Sequence, residues 1–589
     1  MDGIVYLSAV GSRRLDFPTL FADLSKLLPK ETADALDTIY KNPQTPTDTK
    51  MQALLAHFPA GRIVLLLDNF EDVVEAETRK ITNTELDECL RALLNAPPHA
   101  VKVIITTRIA PGDLLTVQPA RHRRRDLDAG LESPHAENLL REMDSDGKLG
   151  LKALAEDAPV LRQARERTRG NPRALEALFG ILMSDNSTAL EEILTDIEKR
   201  GVLPDNVTEA LVGEAFNRLD SAAQKVMQAL AIYGRPVPAV ALDTLLQPHQ
   251  PGIDSTPILA RLVNMHFVRK ESGRFYLHPV DRAYALHLIP KGEKSDRYEF
   301  GDPLFTRTAL FHAAADYFAS TRKPRADWKA LPDLQPQLDE FELRCDGGDW
   351  DSAAGVLSDI DFDYLLLWGH ARLTAQLHER LRGKIIDVDL KLYNLNNLAL
   401  AYNGLGRVRE AIACYEEALP IARENNRKQS EGARLGGLGS AYYNLGQVQQ
   451  AIDFYQQALI IAREIGDRSG EGAWLSNLGL AYSALGQVQQ AIDFYQQALV
   501  IAREIGDRRG EGNALGNLGS AYSDLGQVQQ AIDYHQQALV ISREIGDRSG
   551  EGNALGNLGS AYSDLGQVQQ AIDFYQQALV IAREIGDRR

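Results

Sequence analysis

The stretch Arg62-Ile63-Val64-Leu65-Leu66-Leu67-Asp68-Asn69-Phe70-Glu71-Asp72 decides how the first part of this chain folds. Its five consecutive apolar residues are bounded by Gly61 and Asp68 and are too few for a helix, so we predict a buried parallel β-strand. Asp68 then lies at the carboxyl end of that strand, the edge at which open α/β sheets bind their ligands. A carboxylate there is a hard oxygen ligand of the kind that a phosphate-bound Mg²⁺ needs. The alternative is an ordinary solvated acid at a strand end.

Composition places the rest of the chain among soluble globular proteins. Of its residues, 25% are charged and 44% are hydrophobic, and the formal net charge is −17. A length of 589 residues predicts about three to five domains. The negative charge argues against a protein that coats nucleic acid or an anionic membrane, so we expect neither as a partner. The three cysteines, Cys89, Cys345 and Cys414, have no disulfide or zinc spacing. Without a signal peptide or an apolar stretch of about 18–20 residues, we expect a cytoplasmic protein.

Two further strand candidates flank the central stretch. They are Ile4–Leu7 and Val101–Thr106, and helical patterns at Leu20–Leu28 and Glu85–Leu94 lie between the three strands. Alternation of strands and helices predicts a parallel, doubly wound sheet. Arg108 follows the third strand, where a guanidinium could reach a terminal phosphate; the alternative is a surface arginine.

These motifs resemble a known family in their order. IVLLLDNFED and VKVIITTR are similar to the Walker B and sensor strands of STAND-class P-loop NTPases, the NB-ARC group. Gly170-Asn171-Pro172-Arg173-Ala174-Leu175 resembles that group's GxP motif, and Leu127–Leu154 resembles its small helical domain. The resemblance spans residues 1–290. It implies an ADP/ATP site with Mg²⁺ at Asp68, Pro172 near the adenine and a nucleotide contact from Arg108. Asn69 replaces the family's second acidic residue, which polarises the attacking water, and either Glu71 or Asp72 is the candidate substitute.

The phosphate loop of that family is not in this sequence. A G-x-x-x-x-G-K-[ST] motif supplies the backbone amides and the lysine that hold phosphate, whereas the only Gly-Lys pairs here are Gly147-Lys148 and Gly383-Lys384, each followed by an aliphatic residue. Family order places the loop before Ile4, so we expect an N-terminally truncated chain. The alternative is a remnant that no longer binds nucleotide. Both interpretations predict weak ATP binding or none, and ATPase activity stays an open question.

Residues 201–295 have the pattern of a winged helix. A helix start at Asp220 or Ser221 and helices near Val240–Leu246 and Ile258–Asn264 precede two short strands, Phe267–Lys270 and Phe275–Leu277. His278 follows the hairpin and resembles the family histidine that contacts the β-phosphate of ADP, although Pro279 replaces the usual acid. The alternative is a core histidine.

The last third of the chain repeats with a period of 40 residues. The unit resembles the tetratricopeptide repeat, in the 40-residue form of kinesin light chain and the Pins-type scaffolds, and stacking of such units produces a concave groove. A groove-facing asparagine recurs at Asn397, Asn477, Asn517 and Asn557, with Gly437 in the second repeat. The resemblance implies that these asparagines bind the backbone of an extended peptide; the alternative is a helix-stabilising polar residue without a ligand. Asp524 and Asp564 suggest a ligand with basic residues.

The sequence therefore predicts a mainly α protein with an N-terminal α/β part. The predicted domains are a nucleotide-binding domain without its phosphate loop, a small helical domain, a winged helix, a helical spacer and five tetratricopeptide repeats, at residues 1–125, 126–200, 201–295, 296–390 and 391–589. The first functional hypothesis is a signalling ATPase fragment whose repeats bind a protein or peptide and whose nucleotide module switches assembly into a homo-oligomer. The alternatives are a tetratricopeptide adaptor with a vestigial nucleotide module and a winged-helix transcription regulator.

Overall fold

The structure is a computed structural model of the whole chain. It describes residues 3–8, 15–41, 45–68, 70–75, 78–107, 111–112, 114, 130–184, 189–199, 206–293 and 304–586. Contacts divide the chain into two compact units, one formed by Met1–Val117 with Asp361–Arg589 and the other by Gln118–Ile360. The five predicted domains stay a prediction. Among the described residues, no helix combines the length and the apolar character needed to cross a lipid bilayer.

A parallel sheet of three strands begins the first unit, as the sequence predicted. Its strands are β1 (Gly3–Ser8), β2 (Ile63–Asp68) and β3 (Val101–Ile105), with β2 in the centre. Ser8 pairs with Asp68 and Leu67 pairs with Ile105, so the carboxyl ends of the strands meet at one edge.

The sheet differs from a doubly wound sheet because it buries mainly one face. Leu7, Leu65 and Leu67 are fully buried, whereas Ile4 is 62% exposed and Ile104 is 51% exposed. Side chains alternate between the two faces of a strand, and a run of apolar residues does not by itself show that both faces are covered. In this unit the buried face packs against helices; those with described bounds are α1 (Phe17–Ser25), α2 (Lys30–Lys41), α3 (Thr47–Leu55) and α4 (Thr84–Asn95).

Capping residues set where the first helices begin. The side chain of Asp16 accepts a hydrogen bond from the Thr19 amide at 2.8 Å, so α1 starts at Phe17, three residues before the predicted start. Asn83 caps α4 in the same way through the Leu86 amide, at 2.9 Å. Both bonds satisfy amides that have no partner inside their helix. The sequence analysis did not predict α2 and α3.

The described part of the second unit is mainly helical and contains one β-hairpin. Its described helices are α5 (His135–Met143), α6 (Pro159–Thr168), α7 (Pro172–Ser184), α8 (Leu190–Lys199), α9 (Val207–Asn217), α10 (Ser221–Tyr233), α11 (Ala239–Leu246), α12 (Ser255–Asn264), α13 (Pro279–His287), α14 (Arg307–Ser320), α15 (Gln335–Asp346) and α16 (Trp350–Ser358). The antiparallel strands β4 (Val268–Glu271) and β5 (Arg274–Leu277) follow α12. The three predicted helices and the hairpin are therefore present in the predicted order. Their assignment to a winged helix stays a prediction.

The repeat array begins after a short π-helix, Asp361–Leu366, and α17 (Ala371–Leu381). Each repeat is a pair of antiparallel helices: repeat 1 is α18 (Val388–Gly404) and α19 (Val408–Glu424), repeat 2 is α20 (Lys428–Asn444) and α21 (Val448–Ile465), repeat 3 is α22 (Arg468–Ala484) and α23 (Val488–Ile505), repeat 4 is α24 (Arg508–Asp524) and α25 (Val528–Glu544), and repeat 5 is α26 (Arg548–Asp564) and α27 (Val568–Gly586). The predicted period and helical pairing are confirmed.

Small residues allow the two helices of a repeat to approach closely. A Cβ atom on Gly439 would lie 2.6 Å from the Tyr455 ring, closer than carbon atoms can approach. One repeat later Gly479 faces Tyr495 in the same way, at 2.4 Å. The turn between the helices closes at a glycine with positive φ, for example Gly446 at 77°, a conformation that other residues rarely adopt.

Candidate functional site

The carboxyl edge of the sheet places Asp68 between two hydroxyl donors. Tyr6 on β1 donates its phenol hydrogen to Asp68 Oδ2 at 2.8 Å, and Thr106 beyond β3 donates its hydroxyl hydrogen to Oδ1. Both carboxylate oxygens therefore accept hydrogen bonds from side chains of the adjacent strands. In the sequence, Asp68 and Thr106 each end a predicted parallel strand, but no pattern there indicates the bond from Tyr6.

Three observations bear on the predicted Mg²⁺–nucleotide site at this edge. Both oxygens of Asp68 are engaged by the protein, and no cluster of three histidine, cysteine or acidic side chains suited to a metal exists among the described residues. The sequence also lacks a phosphate loop. Glu71 lies in a short 3₁₀ helix, Phe70–Val73, directly after β2, whereas Asn69 and Arg108 lie outside the described residues. The roles of Asp68, Glu71 and Arg108 toward a nucleotide stay predictions.

A calorimetric titration tests whether the carboxyl edge of the sheet binds ATP and Mg²⁺. We expect no sub-micromolar binding when ATP and Mg²⁺ are titrated into the full chain, because the sequence has no phosphate-loop motif and both oxygens of Asp68 already accept hydrogen bonds. Removing Mg²⁺ with a chelator should leave the heat signal and the thermal stability of the protein unchanged. Sub-micromolar ATP binding that disappears with the chelator would contradict the prediction.

In the second unit, the buried Arg173 links the start of the helix that carries Pro172 to the start of the helix that His278 caps. Arg173 follows Pro172 at the start of α7, and its Nη2 donates to Asp281 Oδ1 at 2.5 Å. Asp281 lies in the first turn of α13, whose N-cap is His278. Arg173 is 5% exposed and Asp281 is 1% exposed. Arg173 belongs to the motif that resembles GxP, but the sequence assigned no role to it or to Asp281.

Further hydrogen bonds complete this cluster. Arg173 Nη1 donates to Glu176 Oε2 at 2.9 Å and to the His266 carbonyl at 3.0 Å. Arg269 also donates to Glu176, at 2.5 Å. Burial, together with the positive charge of Arg173, lowers the pKa of His278, so its ring is neutral at pH 7, and its Nδ1 accepts from the Val280 amide at 3.3 Å. The structure therefore shows capping and ion-pair roles here, and the nucleotide role of Pro172 and His278 stays a prediction.

The repeat array contains the second candidate site, a groove across repeats 3 to 5. Asn477, Asn517 and Asn557 lie at the same position of α22, α24 and α26, and all three line one groove of about 680 Å³. Its floor comes from second-helix residues that repeat in register, which are Ala498, Ile501, Ala538 and Ile541. The groove thus presents one carboxamide per repeat above an apolar floor.

The fourth predicted asparagine, Asn397, has a different environment. It is 3% exposed, and its Nδ2 donates to Asp361 Oδ2 at 2.7 Å. Tyr393 donates to the other oxygen of Asp361 at 2.9 Å, and His378 Nε2 lies 3.1 Å from Oδ2. Asn397 therefore belongs to a buried polar cluster at the start of the array, and its side chain does not line the groove of repeats 3 to 5.

The chain's own side chains also fill the concave side of repeat 2. The Trp474 ring covers Gly436 so closely that a Cβ atom there would lie 2.1 Å from it. Trp474 also stacks on Tyr455, with ring centroids 6.4 Å apart. Arg434 is buried and donates to the Leu392 carbonyl at 2.6 Å. These contacts distinguish repeats 1 and 2 from the open groove of repeats 3 to 5.

Recurring charge pairs join successive repeats. Arg463 at the end of repeat 2 donates to Glu471 at 2.8 Å, and the equivalent pairs Arg503–Glu511 and Arg543–Glu551 have the same distance. Burial opposes ionisation of Glu471, but hydrogen bonds from Arg463 and Arg468 outweigh it and lower its pKa. These pairs hold the repeats in register and are structural.

His535 is among the groove residues that differ between repeats. His535 on α25 occupies the position of Tyr415, Tyr455, Tyr495 and Tyr575. It is 1% exposed and lines the groove, and burial lowers its pKa to about 4.

The stability of repeat 4 should therefore depend on pH through His535. The unfolded chain binds a proton at this histidine below about pH 6.5, whereas the folded chain resists protonation until about pH 4. The histidine's contribution to stability is thus complete above pH 6.5 and is lost as the pH falls toward 4. We expect urea unfolding to show the wild type losing stability relative to His535→Tyr across this window. Parallel pH profiles of the two proteins would contradict the assignment.

Comparison with known proteins agrees with the helical pairing of the array. The tetratricopeptide repeat family profile matches residues 389–459, 433–504 and 510–584. No curated protein sequence matches the chain.

Solved structures were compared as well. A STAND protein with a tetratricopeptide repeat sensor from Pyrococcus horikoshii is 17% identical, with 99% of this chain and 87% of that chain covered and a TM-score of 0.39. BtubC from P. vanneervenii is 24% identical over 37% of this chain and 90% of its own, with a TM-score of 0.33. A Rap protein complexed with Competence and Sporulation Factor is 14% identical over 48% and 93% of the two chains, with a TM-score of 0.31.

The profile matches coincide with the five helical pairs and with their 40-residue period. Stacked repeats of this kind create an extended concave surface with which they bind other proteins. The C-terminal third of the chain is therefore a tetratricopeptide repeat array.

Proposed function

We propose that this protein is an interaction adaptor whose repeats 3 to 5 bind an extended peptide segment of a partner protein. The observation that carries the proposal is the alignment of Asn477, Asn517 and Asn557 along one open groove. Each carboxamide has both a donor and an acceptor, so it can pair with the N–H and C=O groups of a peptide backbone. Three carboxamides in register suit a ligand without internal backbone hydrogen bonds.

Charge supports a partner with basic residues. Asp524 and Asp564 end the first helices of repeats 4 and 5 and are exposed, and the chain carries a formal charge of −17. A basic peptide would be attracted over a distance of about a Debye length. Arg509 also lines the groove, so acidic groups are not its only charged groups.

Peptide display on the full chain tests the proposal. Phage carrying random linear peptides are selected on the immobilised protein, and enriched sequences are synthesised and measured by fluorescence anisotropy. We expect enriched peptides to be rich in Lys or Arg, to bind with one site per chain and to protect α22, α24 and α26 from hydrogen exchange. Selection that enriches no binding sequence, or protection confined to other helices, would overturn the proposal.

A nucleotide-dependent switch is the second candidate. Its support is the position of Pro172 and His278 at the starts of α7 and α13, which the Arg173–Asp281 pair holds together. Saturable ADP binding to the full chain that is lost in His278→Ala would favour this candidate over the adaptor.

A further inference from the structure

His535 changes a recurring contact of the array. In repeat 2, the phenol of Tyr455 donates to Ser440 Oγ at 3.1 Å, and in repeat 5 the hydroxyl groups of Tyr575 and Ser560 lie 3.0 Å apart. Repeat 4 retains the equivalent serine, Ser520, but has an imidazole where the phenol would be. An imidazole has no hydroxyl group, so this hydroxyl–hydroxyl contact cannot form in repeat 4.

The imidazole of His535 is close-packed but has an unsatisfied nitrogen. A Cβ atom on Gly519 would lie 2.5 Å from the ring, so the ring is held against α24 as the tyrosines are held in other repeats. Its Nδ1 has no hydrogen-bond partner among the described residues. Ser520 Oγ donates to the Gly516 carbonyl at 3.2 Å, and its lone pairs can accept a hydrogen bond. Both side chains line the groove together with Asn517.

We propose that His535 and Ser520 form a specificity subsite for a serine or threonine hydroxyl of the bound peptide. The inference rests on the proposed peptide-binding function of the groove. The ligand hydroxyl takes the place of the phenol hydroxyl of repeats 2 and 5: it donates to one of the two side chains and accepts from the other. Asn517, at the same level of the groove, positions the peptide backbone.

The local charges favour a neutral hydroxyl over an acidic ligand group. Burial lowers the pKa of His535 to about 4, so the ring carries no positive charge at neutral pH. A carboxylate or a phosphate would gain no ion pair from it and would lie in a groove that Asp507 and Asp547 also line. An unpaired buried nitrogen is costly, and the proposed complex, in which the ring turns toward the ligand hydroxyl, would relieve that cost.

A double-mutant cycle on the full chain tests the subsite. The probe is a set of peptides selected by display on the wild-type protein, each synthesised with its serine or threonine and with alanine in its place. The protein variant is His535→Tyr, which should fold because four other repeats have tyrosine at this position. We expect His535→Tyr to weaken binding of the hydroxyl peptide about tenfold and to leave the alanine peptide within about twofold.

The neighbouring residue provides a matched control. Tyr534 stacks on Tyr522, with ring centroids 5.3 Å apart, and Phe454, Phe494 and Phe574 occupy its position in other repeats. Tyr534→Phe should therefore leave both affinities unchanged.

Three outcomes would overturn the inference, and they separate it from the proposed function. If Asn517→Ala weakens binding while His535→Tyr does not, the groove binds peptide and the subsite is wrong. If His535→Tyr weakens the hydroxyl and alanine peptides equally, the histidine does not recognise the hydroxyl. If neither variant weakens binding, or if no peptide is selected, the proposed function and the subsite both fail.

Discussion

Replacing Arg173 by alanine should lower the free energy of unfolding of the second unit by about 3–5 kcal/mol. The substitution leaves Asp281, which is 1% exposed, without its cation and Glu176 without one of its two arginines. Burial already raises the pKa of Asp281, against the opposing effect of Arg173, so loss of the arginine makes its ionised form more costly still. An uncompensated buried charge destabilises far more than loss of a surface pair.

Hydrogen exchange with mass spectrometry measures this effect within the full chain. Peptides from α7 and α13 should exchange much faster in Arg173→Ala, while peptides from repeats 3 to 5 serve as the internal reference. The matched control is Arg261→Ala, because Arg261 and its partner Asp220 are 50% and 51% exposed and such pairs contribute about 0–1 kcal/mol. Equal protection of α7 in the two variants would show that the buried pair is not stabilising.

A double substitution separates the loss of the pair from the loss of packing. Arg173→Met combined with Asp281→Leu removes both charges and retains apolar volume, so it should recover stability relative to Arg173→Ala. A double variant that is even less stable would show that the polar network itself specifies the packing of α7 against α13.

Converting Asn477, Asn517 and Asn557 together to alanine should abolish measurable binding of selected peptides. A neutral hydrogen bond contributes about 1 kcal/mol, so three carboxamides account for about 3 kcal/mol, or more than a hundredfold in affinity. The array should remain folded, since the three side chains are not buried and alanine is the strongest helix former. Anisotropy titrations with the display-selected peptides measure the loss, and circular dichroism checks the fold.

Two other asparagines provide contrasts for that experiment. Asn444 is exposed at the end of α20 and does not line the groove, so Asn444→Ala should bind as the wild type does. Asn397→Ala should instead reduce the stability of repeat 1, because Asp361 loses a buried hydrogen bond. Full binding by the triple variant would show that the aligned carboxamides are not the contact surface.

The sequence predicted the C-terminal repeats more completely than the N-terminal sheet and helices. Periodicity predicted the five helical pairs correctly, because each repeat of 40 residues carries its own apolar pattern and its own turn glycine. At the N-terminus, the strands were correct, whereas α1 begins at Phe17 because Asp16 caps it. The one-sided burial of the sheet was missed because an apolar run does not indicate which of its faces other elements cover.

For the candidate sites as well, the sequence predicted some features and missed others. The sequence placed an asparagine in the first helices of repeats 1, 3, 4 and 5, and it identified His278 and Asp68 from their motifs. It could not show that Asn397 donates a hydrogen bond to Asp361, or that both oxygens of Asp68 accept hydrogen bonds. Nor could it show that the Trp474 ring covers Gly436. Each of these depends on a partner side chain from another element.

By itself, then, the sequence determined the repeat architecture, the order of strands and helices, and the register of the asparagines, because these follow from local patterns and backbone preferences. Only the tertiary structure decided which asparagines face an open groove, and it alone revealed the buried Arg173–Asp281 pair. Those two residues are 108 positions apart in the chain, and Asn397 and Asp361 are 36 apart. Contacts over such separations arise from packing between elements, and no local pattern encodes which side chains will meet.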